Sequence, residues 1–152
     1  MNQTESRHTA PRQIDTLLHL YSESHRNHLN EVIHMVCVPL IVLSLLGLLW
    51  AIHPLVPLAA CAGALWYYFQ LSRPFALGML AMTAVMLGVL ALLPSYAVLP
   101  LSVLVFVLAW LGQFVGHKIE GKKPSFLDDL RFLLIGPLFV LSFLYRRWRL
   151  AW

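Results

Sequence analysis

Four of the seven histidines in this 152-residue chain flank apolar runs. His25, His28 and His34 stand at the entry to one run, in YSESHRNHLNEVIH, and His117 stands at the exit of another. Neutral imidazoles brought to one depth suit Fe, Zn, Cu or Ni. Polar side chains beside lipid are costly and generally have a task there. Carboxylates that could join them are Glu31, Glu120, Asp128 and Asp129. Asn27 and Asn30 can hydrogen-bond ring nitrogens or a substrate carboxylate. Gln113 stands one turn before His117, where a side-chain amide can orient the imidazole. Cys37 and Cys61 lie in apolar runs with no CxxC pair, so they read as small fillers. With no compact metal motif present, the histidines read either as a metal site or as polar groups that satisfy one another.

The elements that must position these groups follow from composition. Apolar residues make up 59 % of the chain and charged residues 12 %, against about 25 % charged in an ordinary soluble domain. Arg73 is the only full charge between Glu31 and Lys118. A water-facing surface cannot be built that way, so the chain reads as an all-α, multi-pass membrane bundle. No apolar stretch of signal-peptide type occurs in residues 1–13. The net charge of +4 suits anionic headgroups, and no basic run interleaved with aromatics points to nucleic acid.

Residues 1–11 read as a disordered tail and 12–152 as one membrane-embedded domain. Ile14, Leu17, Leu18 and Tyr21 form an i, i+3, i+4, i+7 stripe on an amphipathic helix, which His25 and His28 extend. Four apolar segments follow, at about 32–52, 55–71, 75–93 and 97–116, each long enough to cross a core of ~30 Å. Under four crossings every Lys/Arg cluster falls on one side, which puts both termini in the cytoplasm of a bacterial cell or on the cytoplasmic face of the endoplasmic reticulum. The apolar core of 126–152 is short and contains Gly136-Pro137, so it reads as a re-entrant or interfacial helix.

Helical geometry constrains the histidines. His25 and His34 are nine residues apart, about 180° around one continuous helix. Either the helix breaks between residues 25 and 30 or His25 is not a ligand. Asn27 and Asn30 are both good N-caps, so a break there is chemically reasonable. His53 falls at the opposite end and His8 in the tail, away from the cluster.

Two stretches carry a resemblance. YSESHRNHLNEVIHMVCVP follows Y-x3-H-x-N-x2-N-x3-H-x4-P, and QFVGHKIEGKKPSFLDDL follows Q-F-[VI]-G-H…E…P…D…L. Both patterns are similar to those of the Fe(II)-dependent 2-hydroxy fatty acid dioxygenase membrane family of fatty acid alpha-oxidation. Residue by residue, the match covers Tyr21, His25, Asn27, Asn30, His34 and Pro39, then Gln113, Gly116, His117, Glu120, Pro124 and Asp128. The resemblance implies Fe(II) held by His25, His34 and His117, with Asn27, Asn30 and Glu120 in catalysis and Tyr21, Gln113 and Asp128 toward the substrate. Outside the matched positions, His28 or a carboxylate could add a further ligand, and Lys118 could steady the substrate carboxylate. The implied partners are a 2-hydroxy fatty acid, dioxygen and the bilayer. The rival readings are a non-catalytic membrane scaffold or lipid-binding protein, and a di-iron hydroxylase. The latter needs about eight histidines with HxxHH boxes, which this chain lacks.

Overall fold

The computed structural model describes residues 12–23, 26–121 and 132–152. Six helices are described: α1 (Gln13–Ser22), α2 (His28–Ile52), α3 (Leu55–Leu71), α4 (Arg73–Leu92), α5 (Ser95–Glu120) and α6 (Ile135–Arg147). No strand occurs among the described residues, as an all-helical bundle requires. The expected tail, 1–11, lies outside them.

Three of these helices, α2, α4 and α5, are long and apolar enough to cross a membrane. The fourth apolar segment, α3, has 17 residues and a rise of about 25 Å, a little short of a ~30 Å core. Their outward faces carry exposed Trp66, Leu77, Val85 and Leu92, an apolar surface that lipid rather than water must cover. Connections are minimal. His53-Pro54 joins α2 to α3, Ser72 joins α3 to α4, and Leu93-Pro94 joins α4 to α5.

The break expected between residues 25 and 30 is present. α1 ends at Ser22, and α2 starts only at His28. Asn27 is its N-cap, with extended backbone (φ −80°, ψ 122°) and a side-chain oxygen accepting the Leu29 N–H at 2.9 Å. That bond satisfies one of the amides a helix start leaves open. His28 therefore belongs to α2 and does not extend the stripe of α1, of which Ile14 and Tyr21 are buried.

α2 and α5 pack antiparallel along most of their length, and small residues let them do so. A Cβ on Gly112 would come within 2.6 Å of Cys37 Sγ. One on Gly47 would overlap the Ser102 hydroxyl, and one on Gly116 the Asn30 amide oxygen. Close backbone approach of this kind drives helix association where no hydrophobic effect operates. α6 rises only about 20 Å, too little for a further crossing. It is not an interfacial helix lying free on lipid, because Ile135–Phe139, Leu141, Ser142 and Tyr145 are all buried. It packs against α1, α2 and α4 and is tied down by the Tyr145 hydroxyl, which donates to the Pro74 carbonyl at 2.6 Å. Trp152 returns onto Phe75 and Tyr145, and Arg12 donates to its backbone carbonyl.

Candidate functional site

The N-terminal turns of α2 and the C-terminal turns of α5 meet at one end of the bundle. There His34 and His117 face each other, with ring centroids 5.2 Å apart and planes at 88°. Both are buried, at 2 % and 6 % exposure. Metal–nitrogen bonds of about 2.1 Å to two adjacent ligand positions place imidazole centroids roughly 5 Å apart, so this spacing fits a shared ion. His34 Nδ1 lies 3.0 Å from the Asn30 carbonyl. A carbonyl only accepts, so the neutral ring carries its proton on Nδ1 and keeps its lone pair on Nε2. That is the ligating tautomer, set by the bond on the other nitrogen.

Asn30 is fully buried and links the two helices. Its Nδ2 donates to Glu120 Oε2 at 3.0 Å. The same carboxylate accepts the Arg26 N–H at 2.9 Å and the Asn27 N–H at 3.0 Å. From the last turn of α5, Glu120 thus closes the open start of α2, and a negative charge at that N-terminus suits the dipole of α2. Its geometry is that of a group holding the His34 turn against the His117 turn.

Beside His34 lies a cavity of about 40 Å³, lined by Tyr21, Val38, Ile41, Trp110, Gln113, Phe132, Leu133 and Gly136. Gln113 is buried, and its Oε1 has no hydrogen-bond partner among the described residues, as a group awaiting a polar ligand would be. The Tyr21 ring packs on Phe139 and Phe132, which fixes it in the wall. Trp110 was not legible as a wall residue from motif matching, although it stands one turn before Gln113 on α5. Phe132 and Gly136 carried no signal, because the seat of α6 decides their place.

The remaining candidates separate clearly. His28 is exposed, and its Nδ1 lies 3.3 Å from Glu31 Oε2, turned away from the pair. Lys118 is exposed. His53 sits at the opposite end of α2, accepting the Leu55 N–H at 3.2 Å. His25 and Asp128 lie outside the described residues, so the third imidazole is not located. Among the described residues no group of three His, Cys, Asp or Glu side chains could hold a metal. The donor set there is two imidazoles, one with its tautomer fixed, and it fits a metal that takes its further ligand from elsewhere.

Fold and site together define an α-helical membrane protein with a two-histidine centre at one end of its bundle. The family model described as "2-hydroxy-palmitic acid dioxygenase Mpo1-like" matches residues 12–148, and the chain belongs to that Mpo1-like family. It is 30 % identical over 136 residues to the 2-hydroxy-palmitic acid dioxygenase MPO1 of Saccharomyces cerevisiae, covering 85 % of this chain and 78 % of the yeast protein. No solved structure matches it.

Proposed function

We propose that this protein is a membrane-embedded non-haem iron dioxygenase that shortens long-chain 2-hydroxy fatty acids by one carbon. The observation that carries the reading is the buried His34–His117 pair, with the His34 tautomer set by Asn30. Membership of the family and the activity named for its yeast relative support it.

His34 and His117 would supply two ligands to Fe(II). His25, which the motif aligns, would supply the third. When bound, such an ion serves as template for acid and dioxygen and as electron donor. The overall chemistry balances with one dioxygen. The C1–C2 bond breaks, C2 becomes the new carboxyl carbon, C1 leaves as carbon dioxide, and the remaining oxygen leaves in water.

The chain's own residues divide the other tasks. Gln113 offers its amide to the acid's polar head. Tyr21, Trp110 and Phe132 exclude water from the cavity. Glu120 and Asn30 hold the two histidine turns in register. The experiment is purified protein loaded with Fe(II) under air and given 2-hydroxypalmitic acid. The expected product is the acid one carbon shorter, abolished by chelation. Equal product formation by metal-stripped protein overturns the proposal.

A further inference from the structure

A second cavity adjoins the first. It measures about 170 Å³ and is lined by α2 (Val42, Leu45, Leu46), α3 (Ala60, Cys61, Ala64, Leu65, Tyr68) and α4 (Met79, Thr83), with Leu133, Leu134 and Pro137 as its roof. The two cavities follow one another along α2. His34, Val38 and Ile41 line the first, and Val42, Leu45 and Leu46 the second. Leu133 belongs to both walls and is the divider between them. From His34 to Leu46 the helix rises about 18 Å, the reach of a long acyl chain.

The second cavity has almost nothing polar to offer. The Tyr68 hydroxyl is committed to the Leu134 carbonyl at 2.8 Å. The Thr83 hydroxyl is committed to the Met79 carbonyl at 2.8 Å. The space is half open toward the outside of the bundle, and an apolar groove of this kind favours a hydrocarbon occupant over water. A space kept open in line with a polar head site, and apolar throughout, has the shape and chemistry of a tail pocket. Ala60, itself exposed, stands at its rim, so a chain can enter sideways from the bilayer between α2 and α3.

We infer that this chamber takes the hydrocarbon tail of the 2-hydroxy acid, that Leu133 is the gate between head and tail, and that Ala64 limits chain length. The inference rests on the proposed substrate class but not on the oxidation. Its test uses the purified full chain and a 2-hydroxy acid bearing a diazirine at the far end of its tail. Photolysis without metal is expected to label Leu46, Ala64 or Thr83, with competition by 2-hydroxypalmitic acid and none by phospholipid. Labelling of the lipid-facing Trp66 or Val85, or competition by phospholipid, overturns it. Ala64→Phe is expected to lower kcat/KM at least tenfold for a 16-carbon acid and to leave an 8-carbon acid unchanged. Equal losses for both, or none, overturn it; where the variant fails to accumulate as folded protein, the labelling decides. Chamber labelling with no shortened acid removes the oxidation and leaves the chamber, whereas conversion with outer-face labelling does the reverse.

Discussion

Gly116 touches Asn30 so closely that any β-carbon at position 116 would overlap the Asn30 amide oxygen. The Asn30 side chain has little room to retreat, because it is fully buried and its Nδ2 is bonded to Glu120. Gly116→Ala is therefore expected to cost about 1–3 kcal/mol in overpacking and to weaken metal binding with it. Gly63→Ala is the control, since nothing lies within 4 Å of a Cβ there, and it should leave both unchanged. Thermal unfolding in detergent and metal content measure the pair.

Glu120 acts on the site through the backbone of α2. Glu120→Ala removes acceptors for two backbone N–H groups and the Asn30 amide. Hydrogen bonds to a charged group contribute about 1.5–3 kcal/mol each when buried, and Glu120 is half-buried, so a total loss of about 2 kcal/mol is expected after discounting for solvent. Metal affinity should fall roughly 10–100-fold, the usual effect of losing a group behind the ligands. Glu120→Gln should recover part of the stability, because one acceptor remains. Unchanged affinity in Glu120→Ala would place the carboxylate outside the metal's support.

The histidines sort into three sets. His34→Ala and His117→Ala should each reduce bound Fe(II) to near zero. His28→Ala and His53→Ala should leave it intact, since His28 is turned toward Glu31 and His53 sits at the other end of α2. His25→Ala tests the third ligand. Metal analysis of purified variants is the measurement, and wild-type iron content in His34→Ala or His117→Ala would remove that ring from the site.

The elements were legible in sequence for local reasons. Proline and charge end each apolar run, so the expected ends at 52, 71 and 93 fall within a residue of the helix ends. The break before α2 was legible because nine residues is a half-turn offset and Asn27 is a capping residue. What sequence could not show was tertiary. Glu120 meets Asn27 across 93 residues, and a local reading assigns it to catalysis by motif alone. The cavity beyond Leu133 exists only once α6 has been laid across the bundle.

Topology gives a final prediction. The structure gathers the cationic ends of the chain at one end of the bundle. Glu120 joins the start of α2, with Arg26, to the end of α5, with Lys118. Tyr145 joins α6, with Arg146 and Arg147, to Pro74 beside Arg73. Arg12 meets the carbonyl of Trp152 there as well. The opposite turns, at His53-Pro54 and Leu93-Pro94, hold no Lys or Arg. Short loops rich in Lys and Arg stay in the cytoplasm, so the histidine pair should lie at the cytoplasmic face and both termini with it. Reporters fused at each terminus should read as cytoplasmic, and one inserted after Pro54 or Pro94 as external. Termini found on opposite faces would require an odd number of crossings, both found outside would put the histidine pair at the external face, and either result overturns the prediction.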